Sequence, residues 1–508
     1  MSAVGSIVTN TGALTALNSL TNTTSTTNNL ENQLSTGLSI NSPADNPAGY
    51  ITAQGFTSQI NGLTQAVSNA NQGVSLLQTA DGALTQQVGI VQQLNTIAVQ
   101  AANGTQTSAE SQSLQSETSQ LVSQVSTIAG QTQFNDVNLL NGTFQGVQLQ
   151  VGANEGQTMS LSIGSTMASA IGMYATKADT TNTYKTGASS ASGAVTSGAT
   201  VGAFKAGTLS ITGANGTTKS ITVGSAAATA GAATKESAAS IAAAVNDVSA
   251  STGVQAQATN SITLKADGGT GNYAFKIGAT TGSGTSSAVG NSVTVNASSL
   301  SELVSQINGG TTSNGISATL NSAGSAVTLT QANGQNISIS SASTTGKSLT
   351  TTTATAANAV VIGGSATGAV TSALAQGQVQ LQSSGAFSTS STNASIGESS
   401  NSTLNSLADI NVSTTAGANS AMNVIKYALA GLNNQGGQLG AVQQSLTANI
   451  NNMNTTSTNL NSALGVVQDA NIPSVSTKLT EAQIQAQSGV AALKSSTQLQ
   501  QAYVSLLP

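Results

Sequence analysis

Charge is what this chain has least of. Asp, Glu, Lys and Arg together make up 5% of its 508 residues, against about a quarter in average usage. The basic side chains are eleven lysines. There is no arginine, and the first lysine is Lys177. Without a basic patch to neutralise phosphates, nucleic-acid binding is excluded. Histidine and cysteine are absent as well, which removes the usual general base, the thiolate nucleophile, disulfides and most zinc chemistry. The sixteen carboxylates are scattered, among them Glu31, Asp45, Asp81, Glu110, Glu117 and Asp136, and form no tight local pair of the kind glycoside hydrolysis uses. Neither catalysis nor a cofactor is expected. No apolar run approaches the ~20 residues needed to span a bilayer, so no membrane insertion is expected. Met1 to Val8 lacks the basic region and apolar stretch of a general secretory signal.

What the chain does have is apolar periodicity, with 38% hydrophobic residues. Ile60, Leu63, Val67, Ala70, Val74, Leu77, Asp81, Leu84, Val88, Val91, Asn95 and Ala98 alternate spacings of three and four, the seam of a coiled coil. Asp81 and Asn95 are its polar exceptions and are candidates for fixing register. Such a helix needs partners. One is predicted through Leu114, Thr118, Leu121, Val125 and Ile128, opened by a capping box at Thr107 and Glu110. Another runs through Ile425, Ala428, Leu432, Leu439, Val442, Leu446, Ile450, Met453, Ser457, Leu460, Leu464 and Val467, with a stutter between Leu446 and Ile450. The chain ends supply two more amphipathic helices. The first carries Leu14, Leu17, Leu20, Leu30, Leu34 and Leu38. The last carries Leu479, Ile484, Val490, Leu493 and Leu499, and runs on to Leu506 and Leu507.

Between them the pattern changes. Val147 to Val151 and Met159 to Ile163 alternate as a β-hairpin. From about Tyr174 to Ser400 the chain is rich in Ser, Thr, Ala and Gly. Two stretches there share the order strand, helix, strand, strand, which predicts two related α+β modules at about 205–280 and 290–342. The first includes a hairpin signal at Asn215-Gly216.

Several short motifs resemble those of bacterial flagellins. They are Leu34-Ser35-Thr36-Gly37-Leu38-Ser39-Ile40-Asn41-Ser42, Asp45-Asn46-Pro47-Ala48-Gly49, Gln78-Thr79-Ala80-Asp81-Gly82-Ala83-Leu84 and Ile97-Ala98-Val99-Gln100-Ala101-Ala102-Asn103-Gly104. Gln131-Thr132-Gln133-Phe134-Asn135, the hairpin residues Gln150 to Gly156, Gly440-Ala441-Val442-Gln443, Gln468-Asp469-Ala470-Asn471 and the closing Val504-Ser505-Leu506-Leu507 belong to the same set. The resemblance covers roughly the first 165 and last 100 residues. It implies an α + β multidomain fold in which both chain ends form a long antiparallel helical bundle and the β-rich middle is an outward insert. The divisions expected are 1–45 and 471–508 for an inner coiled coil, 46–170 and 401–470 for a helical core with its hairpin, and 171–400 for the outer region. The implied function is a filament subunit that polymerises with itself. Implied partners are the flagellar export apparatus, a chaperone, the filament cap and hook-associated proteins. The alternative from the same resemblance is the hook–filament junction adaptor. A flagellin with a metalloprotease insert would need His-Glu-x-x-His, which a chain without histidine lacks.

One departure from the family carries a physical meaning. Flagellins commonly place Arg, Lys or Asp where this chain has Asn32, Gln33, Ser39, Pro43, Asn46, Gln93 and Asn95. In strong acid carboxylates are protonated, so every basic group adds unpaired positive charge, multiplied along a polymer. Deleting basic groups predicts a filament facing an acidic exterior, from an acidophilic bacterium. A lineage bias toward uncharged polar residues is the rival account. The resemblance also maps the innate-receptor epitope of flagellins onto Gln93, Ile97 and Glu117. The Arg-to-Gln change at 93 removes a multidentate cation, so weak receptor activation is expected.

Overall fold

The structure is a computed structural model. It describes residues 10–176, 207–223, 237–267, 271–280, 292–342, 346–351, 361–363, 372–375, 377–392 and 400–505. The chain is an α+β protein of two compact units. The first comprises the chain up to Thr79, Phe144–Ser162 and the chain from Gln438. The second comprises Ala80–Thr143 and Ile163–Gly437.

Four long helices come from the two chain ends: α1 (Thr11–Thr36), α2 (Pro47–Ala101), α8 (Thr415–Gln468) and α9 (Ile472–Ser505). Between them in sequence lie α3 (Ser108–Gln131) and the short α4 (Ala238–Asp247), α5 (Ser249–Thr252), α6 (Leu300–Gly309) and α7 (Thr311–Asn314). Local chemistry sets their ends. Asn10 caps α1, accepting from Ala13 N at 2.8 Å, and Gly37 stops it in the left-handed region at φ 73°. Pro47 opens α2, where its missing N–H costs nothing. Thr107 and Glu110 form the expected capping box of α3. The many threonines are compatible with helix because their hydroxyls bond back one turn, as in Thr24 to Leu20 O at 2.8 Å and Thr455 to Asn451 O at 2.9 Å. Polarity is thereby supplied without charge.

In the first unit α1 lies antiparallel to α9, with Gly12 beside Ser496 and Leu20 beside Gly489. The hairpin of β3 (Val147–Gln150) and β4 (Thr158–Leu161) pairs Val147 with Leu161 and Gln150 with Thr158, as its alternation predicts.

The second unit holds β1 (Gln133–Phe134), β2 (Val137–Asn138), β5 (Gly172–Ala175), β6 (Gly207–Thr212), β7 (Thr218–Val223), β8 (Gln255–Asp267), β9 (Tyr273–Thr280) and β10 (Ser292–Ala297). It continues with β11 (Ile316–Leu320), β12 (Ala326–Gln331), β13 (Asn336–Ser341), β14 (Ser348–Thr351), β15 (Val361–Ile362) and β16 (Ser372–Ala375). Last come β17 (Gln378–Ser383), β18 (Ser388–Ser391), β19 (Ser400–Asn401) and β20 (Thr403–Ser406). The largest sheet runs β11-β12-β8-β17-β5-β20, with β14 and β15 branching from β8. Two four-stranded sheets run β10-β9-β13-β16 and β19-β18-β6-β7. The Asn215-Gly216 turn joins β6 to β7 as expected.

The strand, helix, strand order of both module stretches is present, with two differences from expectation. Gln255 and Ala256 of the first expected strand and all of 261–264 belong to one continuous strand, β8, because no Gly or Pro stands between them, while Gly253 caps α5. β9, from the first stretch, pairs with β10 and β13 of the second. Ile262 and Leu264 of β8 accordingly share one apolar core with Phe275, Val295, Leu303 and Leu329.

The buried line of α2 also differs from the expected seam. It runs Leu63, Ala66, Ala70, Gly73, Leu77, Ala80, Leu84, Gln87, Val91, Leu94, Ala98 and Ala101. Alternate members agree with the expectation. The others lie one residue earlier, with Ala66 for Val67, Gly73 for Val74, Ala80 for Asp81, Gln87 for Val88 and Leu94 for Asn95. Ile60, Val67, Val74 and Val88 are half-buried, and Asp81 and Asn95 are exposed, so neither sits in the buried line. At Gly73 the reason is steric: a Cβ there would stand 2.6 Å from Leu149 Cδ2 and 3.3 Å from Leu446 Cδ1, so close neighbours select the smallest residue at that position. The same choice recurs in α3, which buries Ser111, Thr118, Val122, Val125 and Ala129 and leaves Leu114, Leu121 and Ile128 half-buried. In α8 the buried Ile425, Leu432, Leu439, Leu446 and Met453 recur every seven residues, so the stutter does not interrupt that line.

Candidate assembly surface

The α1–α9 pair uses weak residues where the helices meet. Ala13, Ala16, Leu20, Thr23, Thr27 and Leu30 line α1, and Val475, Leu479, Ala482, Ala486, Gly489, Leu493 and Ser496 line α9. Only Leu30, Val475 and Ala482 are fully buried, with Leu479 packed against them. Asn10 Nδ2 donates to Gln500 Oε1 at 2.9 Å at the far end. The bulkier side chains face away: Leu14 is 59% exposed, Leu17 48%, Ile484 57% and Val490 53%, and Leu34 is exposed too. Thus of the terminal residues singled out from sequence, Leu20, Leu30 and Leu493 join the helix pair, whereas Leu14, Leu17, Leu34, Ile484 and Val490 do not. Leu506 and Leu507 lie outside the described residues.

The connectors of the four helices are clasped together. Leu38 and Asp469 form an antiparallel bridge. Ser39 N donates to Gln468 O at 2.6 Å, and Ala470 N donates to Gly37 O at 2.8 Å. Asp45 shapes the turn that presents this segment, accepting from Ser42 N at 2.8 Å, Asn41 N at 3.0 Å and Ser42 Oγ at 3.1 Å. Those backbone donors, Ser42 first, hold its carboxyl below the ordinary carboxylate range. Glu110, bonded by Thr107 N, and Glu302, bonded by Ser298 N, are lowered for the same reason.

In the same unit α2 and α8 run antiparallel beneath the hairpin. Of the α8 residues singled out, Leu439 and Leu446 are buried, while Val442, Ile450, Leu460 and Leu464 are half-buried. A Cβ at Gly62 would stand 2.9 Å from Ala153 Cβ, so the hairpin tip rests against a glycine notch. Its own side chains stiffen the tip: Gln150 Nε2 donates to Gly152 O and Asn154 O, both at 2.8 Å. A cavity of about 450 Å³ lies under it, floored by Leu63, Met159, Met453 and Leu460 and rimmed by Gln59, Asn449 and Asn452. No titratable side chain lines it, so it offers packing space and no acid–base chemistry.

Gln93 and Glu117 are exposed and Ile97 is buried at 5%. Among the described residues no three carboxylates gather to hold a metal, and no helix is long and apolar enough to cross a membrane. Sequence reasoning missed the most exposed apolar side chains, Val466 at 88% and Ile51 at 72%, together with Val99. They lie off every three-four pattern, so no periodicity marks them.

The family models and the curated relatives agree on one family. Residues 7–145 match the bacterial flagellin N-terminal helical region, and residues 422–507 match the C-terminal helical region. The B-type flagellin of Pseudomonas aeruginosa is 31% identical over 98% of this chain and 99% of its own length. A flagellin of Xenorhabdus nematophila is 39% identical over 31% of this chain and 50% of that one. The solved FliC of Burkholderia pseudomallei aligns over 74% of this chain and 99% of its own, at 20% identity and a TM-score of 0.30, too low to add weight. With both helical regions matched and a relative aligned from end to end, this chain belongs to the bacterial flagellin family.

Proposed function

We propose that this chain is the structural subunit of a bacterial flagellar filament, polymerising with itself outside the cell to form the propeller for swimming. The observation that carries the reading is a second apolar set on the terminal helices. Leu20, Leu30, Val475, Leu479 and Leu493 meet inside the α1–α9 pair among small and polar residues, while Leu14, Leu17, Leu34, Ile484 and Val490 face out. Fully burying such a side chain is worth about 1.5–3 kcal/mol, and these retain roughly half of that for a neighbouring copy. Head-to-tail contacts between unlike surfaces build an open helical polymer when their rotation does not close. The half-buried Ile60, Val67, Val74, Val88, Val442, Ile450, Leu460 and Leu464 supply a second set, and the buried Leu63, Leu77, Leu84, Val91, Leu439 and Leu446 hold the subunit that presents them. The inner coiled coil is assigned to 1–45 and 471–508, the core to 46–170 and 401–470, and the outer region to 171–400.

Export apparatus, chaperone, filament cap and hook-associated proteins are the partners such a subunit requires. The role is structural and uses no catalytic group. Electron microscopy of polymer grown from purified chain tests the reading. Leu14→Ser with Ile484→Ser should abolish polymer while helical content is kept, and a wild-type chain unable to polymerise alone would favour the hook–filament junction role.

The scarcity of charge supports a filament that faces acid. With eleven lysines and no arginine, little positive charge builds up when carboxylates protonate. Disassembly at pH 2–3 as ready as that of a charge-rich flagellin would refute this. Gln93 in place of a cation, and Ile97 turned inward, support weak activation of the flagellin-binding Toll-like receptor. Full potency in a cell reporter would overturn it.

A further inference from the structure

Seven Asn-Gly pairs occur in the chain, at 61–62, 103–104, 141–142, 215–216, 308–309, 314–315 and 333–334. In this dipeptide the glycine nitrogen can reach the asparagine side-chain carbonyl, because no Cβ obstructs it. Reaction requires a mobile side chain and a glycine N–H free of hydrogen bonds. We propose that Asn103, in the turn between α2 and α3, is a self-modification site that deamidates through its own backbone, and that the fold suppresses the same reaction at the other six pairs.

The geometry sorts them. Gly62 and Gly309 lie within helices α2 and α6, whose ladders hold the glycine nitrogen. Asn308 is also clamped to both backbone groups of Ala318, at 2.7 and 2.9 Å. Asn215 donates to Ser251 O at 2.9 Å and accepts from Thr217 N at 3.0 Å, while Gly216 N donates to Gly213 O at 3.0 Å. Asn314 is buried and accepts from Ile316 N at 3.0 Å, and Gly315 N donates to Thr311 O at 2.7 Å. Asn141 Oδ1 is held by Thr143 N and Oγ1, at 3.0 and 2.7 Å. Gly334 N donates to Gln331 O at 3.2 Å.

Asn103 differs. It is exposed. Its backbone is anchored at both ends, N to Gln100 O at 3.2 Å and O from Gln106 N at 3.3 Å. Among the described residues, neither its side chain nor Gly104 N makes a hydrogen bond, and a Cβ at Gly104 would meet open space.

The chemistry balances without any further reagent than water. Gly104 N–H gives its proton to solvent base, the nitrogen bonds to Asn103 Cγ, and the Cγ–Nδ2 bond breaks. Nδ2 takes up a proton and leaves as ammonia. Water then opens the five-membered imide at one carbonyl, giving aspartate or isoaspartate at 103. One water is consumed and one ammonia released, with no change of oxidation state. Because the attacking nitrogen must lose a proton, the site is quiet in acid and reacts at neutral or alkaline pH. Either product places a new carboxylate in the short connection between Ala101 and Ser108, and isoaspartate adds a backbone methylene as well. None of this depends on the filament reading.

The test is peptide mapping by mass spectrometry of the purified full-length chain held at pH 8, at pH 4, and at pH 8 in denaturant, scoring Asn-to-Asp mass gain and isoaspartate at each pair. In the folded chain at pH 8, Asn103 should convert about fivefold faster than any other pair, the factor that one net hydrogen bond to be broken implies. The lead should collapse in denaturant. Conversion at Asn103 should fall away at pH 4, and Gly104→Ala should slow it at pH 8. Two results overturn the proposal: another Asn-Gly pair matching Asn103 in the folded chain, or Asn103 staying intact when folded while reacting in denaturant.

Discussion

Gly73 and Gly82 test whether small residues in α2 are there for close packing. Both lie in the same helix, where Gly→Ala alone stabilises by about 1 kcal/mol. A Cβ at Gly82 meets nothing within 4 Å, while one at Gly73 stands 2.6 Å from Leu149 Cδ2 and 3.3 Å from Leu446 Cδ1. Gly82→Ala should therefore realise the full gain. At Gly73 the gain is opposed by overpacking, which costs about 1–3 kcal/mol. Leu149 is half-buried and its methyl is the far end of a flexible side chain, so alanine should come out near zero. Valine adds two methyls and lowers helix propensity, and should cost about 2 kcal/mol. A chain with two compact units need not unfold in one step, so the measurement is local amide exchange. Gly73→Val should speed exchange of the β3–β4 amides by about thirtyfold, the equivalent of that 2 kcal/mol, while Gly82→Ala slows exchange around itself. If Gly73→Ala stabilises as much as Gly82→Ala, or if Gly73→Val leaves hairpin exchange unchanged, the hairpin does not seat on Gly73 and the steric account of the buried line fails.

Other outcomes follow from the same geometry. Gln87 is wholly buried and donates to Val125 O at 2.9 Å and Thr166 O at 3.4 Å, and among the described residues its Oε1 has no partner; Gln87→Met removes that orphaned acceptor, worth about 1–3 kcal/mol, against donated bonds worth about 0.5–1.5 kcal/mol each, so stability should stay within about 1 kcal/mol, as read by exchange of α3 amides. Asn308→Ala, which strips the clamp from Ala318, should destabilise the β11 edge by about 1–3 kcal/mol, seen as faster exchange at residues 316–320. For Asp45 the folded pKa is lowered, so its contribution is present above the unfolded carboxylate range and lost as pH falls through the folded value. The Asn41 and Ser42 amide resonances should titrate below the ordinary carboxylate range, and Asp45→Asn should raise exchange at Ser39 and Ala470 at neutral pH. A midpoint at the ordinary value would contradict the hydrogen-bond assignment.

How much was legible in the sequence depended on which property decided the outcome. Helix existence was legible, because no Pro interrupts the long periodic runs, the pattern resumes at Leu439 beyond the Gly436-Gly437 pair of α8, and the stops at Gly37 and Asn103-Gly104 are chemical signals. The Thr107–Glu110 capping box and the β3–β4 hairpin were legible for the same local reason. Which face of α2 is buried was only half legible. Reading by hydrophobicity favours Val67, Val74 and Val88 over Ala66, Gly73 and Gln87. At Gly73 the decisive quantity was the distance to Leu149 and Leu446, residues far away in sequence whose position no local pattern encodes. Keeping the three-four spacing through Val67, Val74 and Val88 also put Asp81 and Asn95 into a seam they do not occupy.

The terminal helices show the consequence for the assembly surface. Leu14, Leu17, Ile484 and Val490 were singled out as apolar members of helices that need partners, but periodicity cannot say whether the partner is within the chain or in another copy. The structure separates the two, because Leu20 and Leu30 turn toward α9 with Ala13, Ala16, Thr23 and Thr27 while Leu14 and Leu17 face out. A helix pair built to be stable alone would bury most of its large side chains. This pair leaves Leu14, Leu17, Ile484 and Val490 outside, so these outward residues, more than the buried ones, are where substitutions should separate folding from polymerisation.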